Sequence, residues 1–291
     1  MTGTAVASLA PQSGHLKRRA ILNRVVLAAC YAAAAVVVLP LALILWHLIV
    51  MGASGLSLSF FLNMPKPVGE LGGGMANAIV GTLILVGLGA LVAVPIGVAA
   101  GIYLAESGRN QFASVVRYTA ELLSGVPSIV VGVATYGLLV IPMGGFSALA
   151  GGVALSILML PTIIRSTEEV VRLVPQSYRE AALALGAPRW KVTQQVVVPA
   201  ARAGIVTASM LAVARAAGET APLLFTALGN RFWSVALTKP IASLPVFIFD
   251  YARAPYDDWN RQAWTGALVL VLLVTLISAL LRLTVRRVAT R

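Results

Sequence analysis

Arg215 and Glu219 are the two charged residues in an otherwise apolar stretch, 203–228, and they stand four positions apart. A helix puts residues i and i+4 on one face, so the stretch can present a guanidinium beside a carboxylate. A guanidinium is a planar fork that gives two parallel, charge-assisted hydrogen bonds to an oxyanion. The carboxylate can neutralise it when no ligand is present, or accept a hydrogen bond from a protonated oxyanion oxygen. An arginine at mid-membrane costs about 2.5–3.5 kcal/mol on insertion scales, and such residues face a bundle interior or a watery path. Two readings therefore compete: an ion pair that ties helices together, and a path for an anion. Arginine before glutamate is the weaker order for a helical pair, which speaks against a purely helix-stabilising role. Thr220 adds a hydroxyl donor. Pro222 leaves the Gly218 carbonyl without its helical N–H and bends the segment.

Other chemistry finds little support. Cys30 is the single cysteine, and His15 and His47 lie far apart, so no metal site or catalytic triad is written into the chain. No glycine precedes any of Lys17, Lys66, Lys191 or Lys239, so there is no GxxxxGK[ST] phosphate loop. If ATP is used, another chain binds it.

The elements that position the charged pair follow from composition. The 291 residues are 59% hydrophobic and 11% charged, where a soluble domain carries about 45–50% and about 25%. The apolar residues fall in long runs, which makes the chain an all-α integral membrane protein. Six spans are expected, at about 25–51, 77–105, 122–141, 146–164, 203–228 and 262–281. The third and fourth are divided at Pro142-Met143-Gly144-Gly145, because one uncharged run of about 43 residues is too long for a single crossing. Sixteen of the 22 Lys and Arg fall in the tail 1–24, two alternate loops and the C-terminus. The positive-inside rule then puts both termini in the cytoplasm and explains the net charge of +12 without nucleic acid. Residues 229–264 hold eight of the 20 aromatics, read as an interfacial belt or a short helix docking an outer partner.

The cytoplasmic loop 165–202 is the longest on its side. Val174, Tyr178, Ala181, Ala182 and Leu185 share one helical face. Gly186 suits the left-handed position after a helix, and Pro188 the first turn of the next. Within this loop Glu180-Ala181-Ala182, then Gly186, then Val196-x-Val198-Pro199 resembles the EAA signature of ABC importer permeases, with valine at the family's Ile and Leu positions. Three further segments, Ala214–Ala227, Pro127–Gly132 and Pro245–Tyr251, together with Gly81-Thr-Leu, resemble PstA-type phosphate permeases over nearly the whole chain after residue 70.

That resemblance implies the type I ABC importer permease fold over about 70–285. It implies a multi-pass subunit of a bacterial or archaeal cell (inner) membrane that moves inorganic phosphate by alternating access and does no chemistry itself. Glu180, Ala181, Ala182, Gly186 and Pro188 would couple it to the ATPase, and Arg215, Glu219 and Thr220 would line the substrate path. The implied partners are a PstC-type permease, two PstB-type ATPase subunits that hold ATP and Mg, a PstS-type extracytoplasmic phosphate-binding protein, and membrane lipid. The competing expectations are the same fold carrying sulfate or molybdate, an ion-coupled secondary transporter using Glu219 as a proton carrier, and a purely structural membrane subunit.

Overall fold

The computed structural model describes residues 13–70, 72–108 and 110–289, with side chains described from Arg18 to Leu280. Lys17, Arg109, Arg282, Arg286, Arg287 and Arg291, all counted in the charge argument, lie outside the described side chains. The described residues form helices and no strands. They divide into two compact units, 1–50 and 51–291. The first unit is the greater part of helix α1 (Ser13–Ala53). Its helical structure begins within the segment read as a tail, because helix formation needs no apolar side chains and runs on past the hydrophobic stretch. Its apolar side chains from Ile21 to Val50, Leu48 apart, are exposed on every face, as a lipid-facing helix requires.

The second unit holds α2 (Leu58–Leu62), α3 (Ala76–Glu106), α4 (Gln111–Gly125), α5 (Ser128–Thr135, continued by a π-turn over Tyr136–Val140), α6 (Ala148–Arg172), α7 (Gln176–Ala184) and α8 (Arg189–Val192). It continues with a π-turn over Thr193–Val197, α9 (Val198–Ala216), α10 (Ala221–Thr226), α11 (Leu244–Ala252) and α12 (Asp257–Ala289). Five helices are long and apolar enough to cross a membrane, and the pair α4–α5 makes a sixth crossing if its two bent halves count as one.

The core is the pair α3 and α6. Gly89, Ala93, Gly97 and Gly101 repeat every fourth residue along α3, the small-residue stripe that lets membrane helices approach closely. A Cβ on Gly97 would lie 2.8 Å from Ile163, and one on Gly101 would lie 2.6 Å from Thr167. Gly89 meets Leu155, Gly97 meets Ile163 and Gly101 meets Thr167, so contact positions rise together and the helices run parallel. Parallel neighbours joined in sequence require a return crossing, and α4–α5 supplies it. The two halves of that pair are bent by 106°. Val126 precedes Pro127 and takes an extended conformation (ψ 129°), because the proline ring disfavours a helical residue before it. The stretch expected as one span over 122–141 therefore has its first four residues on α4, across the bend. Hydropathy sees apolar content but not direction.

At the other end of α3, α11 packs on α12. Tyr251 stacks on Trp259 with ring centres 4.3 Å apart, and Phe247 meets Tyr251 edge-on. These three of the clustered aromatics are buried, whereas Phe232, Trp233 and Tyr256 are exposed. The cluster is thus part core and part surface.

Candidate functional site

The apolar stretch around Arg215 is not one helix. α9 stops at Ala216, residues 217–220 are non-helical, and α10 resumes at Ala221. The sequence causes the stop: Gly218 adds backbone freedom, and Pro222 has no N–H to return to the Gly218 carbonyl. The end of α9 tightens instead, with Gly218 N–H donating to the Arg215 carbonyl and Glu219 N–H to that of Ala216, both at 3.1 Å. Arg215 thus lies in the last turn of α9, where the negative end of the helix dipole favours a cation.

Arg215 and Glu219 line one cleft with Ser124, Pro127, Ser128, Pro161 and Thr162. Its volume is about 190 Å³. At about 30 Å³ per water, that holds about six waters, or a small oxyanion with part of its hydration shell. Two interrupted helices and one continuous one build it: the α4–α5 bend at Pro127, the α9–α10 break before Pro222, and α6 with its internal Pro161. α5 and α10 are clamped together beside it, for a Cβ on Gly132 would lie 2.7 Å from the Pro222 Cα. The Arg215 side chain is exposed and that of Glu219 half-buried. The i, i+4 spacing does not join them. Within the described residues neither makes an ion pair or a side-chain hydrogen bond, because the helix ends between them. Thr220 precedes α10 and is not among the residues lining the cleft. Ser128 and Thr162 line it instead; Pro127 with Ser128 reads in the sequence only as a second helix break, and nothing in the spacing of either hydroxyl ties it to Arg215.

Glu180, Ala181, Ala182, Gly186 and Pro188 fall on α7, the following turn and the start of α8. Glu180 and Ala181 are exposed on α7, and Ala182 is half-buried. Gly186 takes φ +83°. Ala187 N–H reaches the Ala182 carbonyl (3.2 Å) and Gly186 N–H that of Leu183 (2.9 Å). These are the two bonds of a Schellman end, which the glycine makes possible. Pro188 caps α8 rather than opening its first turn. The expected apolar face divides: Val174 is buried, whereas Tyr178 is 57% and Leu185 89% exposed.

Arg179 anchors this loop. Its guanidinium pairs with Glu106 at 2.9 Å and donates to the carbonyls of Val171 (3.0 Å) and Val174 (2.5 Å). It thus satisfies carbonyls at the end of α6 while tying α7 to α3. Sequence alone gave Arg179 no role beyond its charge. A second pairing holds α4 to α6: Glu168 is 4% exposed and accepts from Arg117 at 2.8 Å and from Arg172 at 2.6 Å.

A family model described as "Binding-protein-dependent transport system inner membrane component" matches residues 97–290. The phosphate transport system permease protein PstA of Yersinia pestis is 47% identical over 240 residues, which are 82% of this chain and 81% of that protein. The same-named protein of Haemophilus influenzae is 43% identical over 262 residues, 90% of this chain and 93% of its own length. Among solved structures, an inward-facing MetNI methionine ABC transporter aligns with TM-score 0.58 and 21% identity, covering 74% of this chain and 94% of that one. The last likeness concerns fold alone.

Proposed function

The chain belongs to the PstA family of binding-protein-dependent transport permeases, and from that premise we propose that inorganic phosphate crosses the membrane along the cleft holding Arg215 and Glu219. One observation carries the reading: a cation and an anion four residues apart in an apolar segment are held unpaired by a helix break and open onto one cleft. A charge pair kept for structure would close on itself, since the paired state offsets the burial cost of both groups. Arg215 takes phosphate oxygens in a forked geometry. Glu219 accepts from a protonated phosphate oxygen, which sulfate lacks at neutral pH, and restrains tight trapping of the anion.

The chain is a multi-pass membrane permease of the ABC importer fold. Its proposed assembly is the PstC-type permease, two PstB-type ATPase subunits binding ATP and Mg, and a PstS-type phosphate-binding protein outside. Both termini face the cytoplasm of a bacterial or archaeal cell. Glu180, Ala181, Ala182, Gly186 and Pro188 then seat in a groove of the ATPase. The exposure of Tyr178 and Leu185 supports this, because a soluble loop gains nothing by leaving large apolar side chains in water. ATPase movement shifts α7, and Arg179 carries that shift to α3 and α6.

The test is labelled phosphate uptake at limiting phosphate, with labelled sulfate alongside, in cells lacking this chain. Wild type should restore phosphate uptake alone. Arg215→Ala should restore none, at least a hundredfold below wild type, while the complex still assembles. Normal uptake by Arg215→Ala would end the path reading, and recovery of sulfate uptake alone would overturn the substrate.

A further inference from the structure

Hydroxyl side chains inside membrane helices ordinarily donate to a carbonyl of the preceding turn, because no water is there to receive them. This chain follows the habit in most places. Thr82 donates to Ala78 (2.7 Å), Thr135 to Val131 (2.8 Å), Ser156 to Val153 (2.7 Å), Thr207 to Ala203 (2.8 Å), Ser209 to Ile205 (3.0 Å) and Thr226 to Pro222 (2.8 Å). Ser128 and Thr162 do not. Neither hydroxyl has a hydrogen-bond partner among the described residues, both residues are half-buried, and both line the Arg215 cleft. Ser128 opens α5 immediately after the 106° bend, so the helical turn that would supply its carbonyl points elsewhere. Thr162 comes from a different helix, directly after Pro161. Ser124, on the same cleft, is already committed to the Glu121 carbonyl at 2.7 Å. Thr167, which also lacks a partner, is fully buried between α3 and α6 and open to no ligand.

We infer that Ser128 and Thr162 are oxyanion-binding residues of the path, acting beside Arg215 as donors that replace the water a phosphate sheds on entering the cleft. The inference rests on the path reading above and deepens it. A tetrahedral oxyanion presents more oxygens than one guanidinium fork can serve. Two hydroxyls from two further helices surround it on other sides. A hydroxyl both donates and accepts, so Ser128 and Thr162 serve P–O⁻ and P–OH oxygens alike. The cleft thereby takes both protonation states of phosphate that coexist near neutral pH. It also gives each of the three walls of the cleft a contact with the passing ion: α5 through Ser128, α6 through Thr162 and the α9–α10 break through Arg215 and Glu219.

The experiment uses the whole importer in proteoliposomes, with saturating phosphate-loaded binding protein, so that capture outside does not limit the rate. Thr162→Val keeps the shape and removes the hydroxyl; Thr162→Ser restores it. Ser128→Ala and Ser128→Thr form the same contrast. Transport should fall about tenfold in Thr162→Val and in Ser128→Ala, the scale of one hydrogen bond lost to a charged ligand. It should stay near wild type in Thr162→Ser, Ser128→Thr and the control Ser156→Ala. Wild-type transport by Thr162→Val and Ser128→Ala, with Arg215→Ala inactive, would overturn this inference and leave the path reading standing. Wild-type transport by Arg215→Ala would end both. Equal losses in Thr162→Val and Thr162→Ser would show that shape, not the hydroxyl, matters there, and would remove Thr162. If Val or Ala variants fail to assemble, the hydroxyl-keeping pair decides: a tenfold loss in both Ser and Thr exchanges counts against the inference.

Discussion

The arginines around the α6–α7 connection and the arginine in the cleft are treated oppositely. Arg117 and Arg172 share Glu168, Arg165 holds Glu121 at 2.8 Å, and Arg179 holds Glu106. The Arg117–Glu168, Arg165–Glu121 and Arg179–Glu106 pairs join different helices and fix how α4 meets α6 and α7 meets α3, while Arg172 meets Glu168 within α6. Arg215 has an acidic neighbour four residues away and makes no pair. Spacing that would close a pair on a continuous helix is opened by Gly218 and Pro222. These inter-helix pairs hold architecture, whereas the Arg215 guanidinium and the Glu219 carboxylate face a cleft unpaired among the described residues. That difference separates a structural charge from one available to a ligand more clearly than burial does.

The contrast is tested most strongly at Glu168. Glu168→Ala should destabilise the detergent-solubilised complex by about 3 kcal/mol, less than the loss of a wholly buried partner because Arg117 keeps 22% exposure. Glu219→Gln should shift the same melting curve by less than about 0.5 kcal/mol. A larger loss at Glu219 than at Glu168 would break the comparison. Next comes Gly132→Ala, whose new methyl meets Pro222 backbone at 2.7 Å. It should cost about 2 kcal/mol and slow uptake by forcing apart the clamped wall of the cleft. A silent Gly132→Ala would show that the α5–α10 contact does not hold the cleft. Gly186→Ala should cost about 1 kcal/mol, because φ +83° strains a residue with a Cβ. Hydrogen exchange should then quicken at the Gly186 and Ala187 amides and stay unchanged around Arg215.

The smallest effect falls at Tyr251, on α11. Burial raises its pKa, Arg231 offsets part of that, and Asp258 and Asp250 add to the rise. Its hydroxyl has no hydrogen-bond partner among the described residues. The folded chain holds the phenolic proton more tightly than the unfolded one. This contribution to stability is therefore intact below about pH 10 and declines as pH climbs above it. Tyr251→Phe should change the unfolding free energy at neutral pH by less than about 1 kcal/mol and flatten the decline above pH 10. A steeper decline in Tyr251→Phe would show instead that the folded chain lowers the Tyr251 pKa, with Arg231 outweighing burial.

Much of this molecule is legible in the residues. Long apolar runs require membrane helices because unpaired backbone groups cannot stand in lipid. Gly186 forecasts its own positive φ because few other residues tolerate it. Arg215 and Glu219 announce themselves as charges where charge is costly. Direction is what the sequence hides. Hydropathy over 122–141 and 203–228 sums apolar content without registering that Val126-Pro127 and Gly218–Pro222 turn the chain. The i, i+4 rule holds on a continuous helix and fails where the helix ends between its two members. Bringing Ser128 and Thr162 beside Arg215, and matching Arg179 with Glu106, 73 residues earlier, needed the packing of separate helices. No local pattern encodes such long-range choices, because they depend on which glycines and prolines let the backbones approach and bend.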